Sequence, residues 1–520
     1  MSRRYTWAPD AAAPAHLIEA KGVSQAKVAC EAGVAESTIS EVLAGERNLN
    51  RTHIGRLCFI VTNKWMKAGY GEPLRRYFGE SAWVESVVNF GHAKQIFEDA
   101  DVFPSILVAR KPTADAPPTT ARVCDIPRDT LRIDDLSNQI AAEGFELPRE
   151  KLSAGAWTLE PPGVMALMEK IRRVGVPLKE IAGCIPIYGI KTGFNEAFLI
   201  DTPTKELLVA ADPKSGKLFR PYLRGQDIDR WKGQWAGQWL IAMRSSANYD
   251  WPWSKAAEAA DEVFKQTYPA LQEHFGRYRT ELAGRKNKVH FWWELSGSSQ
   301  WEAYEQPKIM YQEIQFHPCY MLDRERMLAN NKVFFIPNGD LYLLGVMNSP
   351  LMWWHNWRYL PHMKDEALTP VGFLMEDLPV ARPTQEIRES AEGAVQSLLD
   401  IAGKQQTGRR DVLDWLRVEY AVNKPSQKLQ DVSALTPDAL AAEVKKARGK
   451  KNPLTVAGLK ALREEHGRSI VPLQTLAAEA RTLERQVAEL VNAAYGLTPE
   501  EVALMWKTAP PRMPGEAPDS

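Results

Sequence analysis

The stretch that most constrains this chain is Cys184–Asp201, CIPIYGIKTGFNEAFLID. Ile185, Ile187 and Ile190 form a strand-like apolar lead, and the chain then turns where Gly189 and Gly193 bracket Lys191 and Thr192. Phe198, Leu199 and Ile200 lead away as a second strand. Glycines at a strand-to-strand turn let backbone approach a ligand closely, and the Lys-Thr pair between them offers one cation and one hydroxyl. By spacing alone the simpler account is a β-hairpin whose lysine is solvated.

Length and composition bound the alternatives. A chain of 520 residues is expected to hold about three or four domains. Hydrophobic content of 44% and charged content of 25% are those of an ordinary globular protein. Lys+Arg of 65 balances Asp+Glu of 65, so any DNA-binding face must be local rather than a global positive field. Cys30, Cys58, Cys124, Cys184 and Cys319 are scattered without a CxxC pair, which argues against structural zinc and a disulfide framework and suits a reducing, cytoplasmic setting. No apolar signal core opens the chain and no run reaches membrane-spanning length, so no membrane partner is expected.

GIKTGFNEAFLID resembles the opening signature of the TaqI-like C-terminal specificity domain in single-chain adenine-N6 (gamma-class) DNA methyltransferases and type IIG restriction–modification enzymes. Further blocks of that resemblance follow in order: Leu218–Trp231 (LFRPYLRGQDIDRW), Thr267–Phe275 (TYPALQEHF), Phe291–Leu295 (FWWEL), Gln306–Ile314 (QPKIMYQEI) and Leu341–His355 (LYLLGVMNSPLMWWH). Their order makes them specific in a way that no single block is. The resemblance implies a DNA target-recognition domain over 184–380. Arg and Lys reach guanine edges, and Asn reaches adenine. The candidate DNA-binding residues are therefore Lys191, Thr192, Asn195, Arg220, Arg224 and Lys308, with Arg244 and Lys288 as phosphate binders. Arg224 could instead pair with Asp227. Trp292 and Trp293 alternate on an expected strand, so at most one faces a partner. LYLLGVMNSPLMWWH reads as strand then helix at the centre of the core, with His355 a satisfied helix residue.

Residues 1–57 read as short helices separated by Gly22, Gly33 and Gly45, with Ser24 as an N-cap and a fourth helix beginning over Arg51–Leu57. The pattern resembles an Xre/HigA-type helix-turn-helix. On that resemblance Ser37, Thr38 and Ser40 face the major groove and Gln25 touches phosphate. A helical bundle that merely packs remains the alternative, and Glu36 and Glu41 favour it by repelling phosphate.

Over 58–125, CFIVTN, WVESVVNFG and FPSILVARK read as strands around the helical KWMKAGYGEPLRRYF. Their order resembles the last third of a Rossmann-like adenine-N6 methyltransferase domain, in which Phe97 would stack on a flipped-out adenine; otherwise Phe97 is core. The family implies S-adenosylmethionine, but these residues contain no Asn-Pro-Pro or Asp-Pro-Pro tripeptide. No glycine-rich strand–helix turn precedes Cys58 either. Such a partial sheet is expected to expose an apolar edge.

Residues 126–183 are expected to connect, residues 381–509 to form long amphipathic helices, and residues 510–520 to be a disordered tail. No carboxylate pair or Ser/His/Asp set suggests a catalytic constellation, and no metal site is expected. The expectation is an α+β multidomain protein: helix-turn-helix, partial α/β methyltransferase sheet, α+β specificity domain and helical C-terminal region. Its expected function is sequence-specific binding of double-stranded DNA in a restriction–modification or phage-defence system, inactive alone. Two alternatives stay open. One is an active adenine methyltransferase when a separate methyltransferase or restriction subunit supplies the missing motifs. The other is an Xre-type transcriptional repressor.

Overall fold

The computed structural model describes residues 56–517 apart from 92–95, 97–101, 127–129, 184–185, 288, 299, 364–365 and 450–451. Gln25, Ser37, Thr38, Ser40, Phe97 and Lys288 lie outside the described residues. The chain divides into two compact units, a first that runs to Ala166 and a second that starts at Leu167.

The first unit is a mixed sheet with helices. Its strands are β1 (Arg56–Thr62), β2 (Trp83–Asn89), β3 (Pro104–Arg110), β4 (Thr120–Asp125) and β5 (Phe145–Pro148), in the order β1-β3-β2-β4-β5. β2 and β4 run parallel and the other neighbours antiparallel. Arg56 and Leu57 thus open a strand rather than close the fourth helix expected over Arg51–Leu57. The register between β2 and β3 shifts between Val84 and Ser86. That extra residue lets Val84 and Val87 reach one core cluster while Val88 reaches another.

One cluster is closed by Trp65, Phe78 and Trp157, with Trp65 and Trp157 ring centroids 4.9 Å apart. Helix α1 (Glu72–Ser81) carries Arg75 into this interior, where it donates to the carbonyls of Trp65 (2.6 Å), Ala68 (2.8 Å) and Ala154 (3.0 Å). Residues expected as a connector therefore complete this unit: Phe145–Pro148 covers the edge of β4, and Trp157 is core. The opposite edge, β1, leaves Leu57 and Ile60 partly exposed, at 37% and 38%.

The second unit holds two four-stranded sheets and a helical layer. Besides a short ladder of Val176–Pro177 with Pro379–Val380, the strands of the two sheets are β6 (Ile187–Tyr188), β7 (Leu199–Asp201), β8 (Phe219–Leu223), β9 (Gln238–Ile241), β10 (Lys308–Gln312), β11 (Tyr320–Asp323), β12 (Leu328–Ala329) and β13 (Val333–Pro337). One sheet is ordered β12-β8-β9-β7 and the other β11-β10-β13-β6. The strands flanking GIKTG therefore belong to different sheets, and the expected hairpin does not form.

LYLLGVMNSPLMWWH is two helices, α2 (Leu341–Met347) and α3 (Pro350–Tyr359), rather than strand and helix. Asp340 and Ser349 accept from the backbone N–H of Leu343 and Met352 and so cap both. The run is buried on all sides, so no amphipathic period marks it as helical. The helices α4 (Gln385–Tyr420), α5 (Val471–Ala494) and α6 (Pro499–Lys507) follow, and α4 packs along α5.

An ion pair lies inside this unit. Lys308 and Asp323 face each other across β10 and β11, with Nζ and Oδ2 2.5 Å apart and side chains 0% and 1% exposed. Lys308 also donates to the Tyr304 carbonyl, and Asp323 accepts the backbone N–H of Glu325 and Met327. Burial pulls the Lys308 pKa down, against the raising effect of Asp323.

Two predictions follow from buried charge. Lys308→Met strands the Asp323 carboxylate and should lower unfolding free energy by about 3–5 kcal/mol in urea titrations, with much of the loss recovered in Lys308→Met/Asp323→Leu. His355 on α3 is held neutral, since burial drives its pKa from 6.5 down to about 4. The unfolded chain then binds the extra proton, so stability is full above pH 6.5 and falls as pH drops toward 4. His355→Gln should flatten that part of the stability–pH curve.

Candidate nucleic-acid interface

Gly189 occupies a place where a Cβ would lie 2.2 Å from the Asn330 carbonyl oxygen and 2.3 Å from that of Ala329. Its N–H donates to the Val333 carbonyl, and the Ile190 N–H to that of Ala329. The close approach that this glycine permits is to the chain's own backbone, not to a ligand. Gly193 has φ +75°, a left-handed conformation that favours glycine. Thr192 is buried, and its hydroxyl donates to Asn195 Oδ1 at 2.6 Å. Lys191 and Asn195 are exposed.

What fixes this loop is Arg285. Its guanidinium donates to the carbonyls of Thr192 (2.7 Å), Trp292 (2.7 Å), Glu294 (2.8 Å) and Leu282 (3.1 Å), and it lies over the Phe198 ring. Burial pushes its pKa down to about 10. Glu294 continues the same network. Its buried carboxylate accepts from the Ser246 N–H (2.8 Å), the Ser246 hydroxyl (2.5 Å) and the Trp253 indole (2.9 Å). Residues 291–294 are a turn rather than the expected strand. Trp293 is buried, and Trp292 is partly covered by Arg279 at 4.9 Å from its ring.

The remaining candidates are more tied down than the sequence suggests. Arg224 grips Asp227 through Nε (3.0 Å) and Nη2 (2.8 Å), while its own N–H donates to the same carboxylate. That is the ion pair weighed as the alternative for this residue, and the hydrogen bond raises the Arg224 pKa. Arg220 and Arg244 both meet Glu305, at 3.4 and 3.0 Å. Lys308 is corrected outright, because its ammonium is enclosed with Asp323 and cannot reach a groove in this arrangement. The structure thus brings Lys191, Thr192 and Asn195 together, places Arg220 with Arg244, and sets Lys308 in the core.

Sequence reasoning missed Arg285 and Glu294. Glu294 stood inside a quoted block, but nothing in its spacing marks a buried acceptor. Arg285 lies between blocks and carries no local signal.

Among the described residues no group of three or more His, Cys, Asp or Glu is placed to hold a metal ion. No helix among them is long and apolar enough to cross a membrane. The connection from β1 to the helix Lys64–Lys67 passes through Asn63, without a glycine-rich turn that could cradle a nucleoside. Neither Asn-Pro-Pro nor Asp-Pro-Pro occurs in the sequence.

Residues 220–380 match the family model of the TaqI-like C-terminal specificity domain. Residues 43–97 match that of the Eco57I restriction-modification methylase, and residues 384–491 that of a domain of unknown function. Among curated proteins the chain is similar to type II methyltransferase M.PaeR7I of Pseudomonas aeruginosa, 25% identical over 300 residues, covering 55% of this chain and 48% of that one. It is also similar to type II methyltransferase M.XhoI of Xanthomonas vasicola, 22% identical over 295 residues, covering 55% of this chain and 51% of that one. The chain spans about half the length of these relatives. Among solved structures, the type IIL restriction–modification enzyme MmeI in complex with DNA aligns over 93% of this chain and 54% of its own, at 12% identity and TM-score 0.44. Methyltransferase relatives imply S-adenosylmethionine use at the level of the family. Over about half of its length the chain is thus similar to type II methyltransferases, and its residues 220–380 match the TaqI-like specificity domain.

Proposed function

We propose that this chain recognises double-stranded DNA for a restriction–modification or phage-defence system, with the Gly189–Asn195 loop as its reading edge. The observation that carries the proposal is the contrast at that loop. Its backbone is pinned by the half-buried Arg285 guanidinium while Lys191 and Asn195 remain exposed. A rigid loop presenting one cation and one amide suits groove contact, since little ordering entropy is lost on binding. The specificity-domain match over residues 220–380, downstream of this loop, supports DNA recognition by this unit.

Lys191 is assigned to a phosphate or guanine edge and Asn195 to a base edge. Arg285 acts by positioning the loop. Arg224 keeps a smaller role, because reaching DNA would mean releasing Asp227.

A second reading is favoured by the curated relatives, which are type II methyltransferases. On it the chain contributes to adenine methylation when the cofactor-binding strands and the Asn/Asp-Pro-Pro-aromatic loop come from elsewhere. Residues 1–520 by themselves lack those motifs.

In salt titrations of duplex binding, Lys191→Ala should weaken affinity and lower the slope of log K against log salt by about 1, the signature of one lost phosphate contact. Arg285→Lys should weaken binding about tenfold while leaving that slope unchanged, because it loosens the loop without removing a contact. Equal slopes for wild type and Lys191→Ala would remove Lys191 from the interface. Tritiated S-adenosylmethionine with mixed duplex DNA should give no incorporation by the purified 520-residue chain. Incorporation by that chain alone would overturn the assignment of chemistry to other residues, and incorporation only on adding a second subunit would establish the second reading.

A further inference from the structure

A cleft in the second unit is built from residues outside the Gly189–Asn195 loop. It consists of two cavities of about 480 and about 180 Å3 that share Lys217, Tyr249 and Trp251. Arg220 and Arg244 line the smaller one. These two guanidiniums share a single carboxylate, Glu305, which Arg326 also approaches at 3.9 Å, so that with exposed Lys217 this end keeps an excess of positive charge. Arg220 Nε is buried and has no acceptor among the described residues. Arg244 is held in place, with its guanidinium 5.2 Å from the Tyr249 ring and 4.8 Å from that of Trp301.

The larger cavity is aromatic. Tyr249 is 41% exposed and lies 4.5 Å from Trp251, which in turn stacks on buried Trp253 at 4.8 Å and 9°. The indole of Trp251 donates to the Arg244 carbonyl, so the aromatic and basic halves are fixed to each other. Lys214 and Asp250 stand in the same wall.

We infer that this cleft binds a nucleotide, its phosphate held by Lys217, Arg220 and Arg244 and its planar base laid on Tyr249. Cations alone would suit any anion, and an aromatic wall any apolar group. Joined cavities of both kinds match an anion covalently tied to a flat ring. The Asp250 carboxylate accepts from hydroxyl or exocyclic amino groups, which a nucleotide carries and a plain aromatic acid does not. The larger volume lies within the usual range for small-molecule sites. A free mononucleotide and a nucleotide within a nucleic-acid strand share this chemistry; the second source rests on the DNA-recognition reading and the first does not.

The test uses the full chain, with calorimetry and tryptophan fluorescence as readouts. The probes are AMP, adenosine, inorganic phosphate and a short single-stranded oligonucleotide. AMP should bind saturably, and adenosine and phosphate each at least about tenfold more weakly. Tyr249→Ala and Lys217→Gln alter exposed side chains, and each should weaken AMP about tenfold with an unchanged melting temperature. Lys191→Ala should leave AMP binding intact, so that failure at the reading loop and failure here are distinguishable. Displacement of AMP by the oligonucleotide assigns the cleft to a strand, and binding of AMP without displacement assigns it to a free nucleotide. If neither AMP nor the oligonucleotide binds saturably up to millimolar concentration, or if both variants bind as wild type does, the inference is wrong.

Discussion

The second unit depends on one half-buried guanidinium. Arg285 reaches the nearby carbonyls of Leu282, Trp292 and Glu294 and ties them to that of Thr192, 93 residues away in sequence. Each of these carbonyls sits where regular secondary structure does not continue, so no strand or helix partner is available to it. A planar fork with several donors satisfies them at once, as a lysine could not. Hydrogen bonds from a charged donor contribute about 1.5–3 kcal/mol each when the alternative is a buried, unpaired carbonyl. Through the Glu294 carboxylate the same network reaches Ser246 and Trp253, the backing of the aromatic cleft. The Gly189–Asn195 loop and the cleft wall are therefore tied to one network, the loop through Arg285 and the wall through Glu294.

Other polar groups in this unit follow the same logic. Lys308 with Asp323, and Arg230 and Trp231 with Glu484 on α5, each join two elements through a carboxylate, whereas Arg224 with Asp227 closes one short turn. Such pairs add little net stability, since desolvation offsets most of the attraction. Their effect is to penalise any register that leaves one partner behind. In a unit whose sheets contain two-residue strands such as β6 and β12, backbone pairing alone specifies register weakly, and buried charge can supply the missing discrimination.

Much of the fold was legible where local pattern and tertiary role agree. β1 to β3 alternate or run apolar and were read within a residue or two. The long helices α4 and α5 show their three- and four-residue steps because one face meets solvent. Legibility failed where burial is complete. α2 and α3 have no polar face to set a period, and FWWEL looks like a strand because its apolar residues are consecutive, although only Trp293 of its aromatics is fully buried. The site divides the same way. Gly193 and exposed Lys191 could be read from residue type, whereas Gly189 was assigned to a ligand when its crowding comes from Ala329 and Asn330. Lys308 illustrates the limit, because a lysine in an apolar strand looks like a surface contact until its partner is placed opposite it.

The balanced charge of the chain now acquires a mechanical meaning. With 65 basic and 65 acidic residues, there is little long-range field to draw a polyanion, and most guanidiniums of the second unit are already paired. Binding of a nucleic acid cannot then rest on steering by bulk charge. It has to come from a few contacts whose geometry is set in advance, where the loss of conformational freedom is small. Lys191 on a pinned loop meets that requirement, and so does Tyr249 against stacked indoles. A flexible basic tail would not, since it would gain affinity by counterion release without discriminating between sequences.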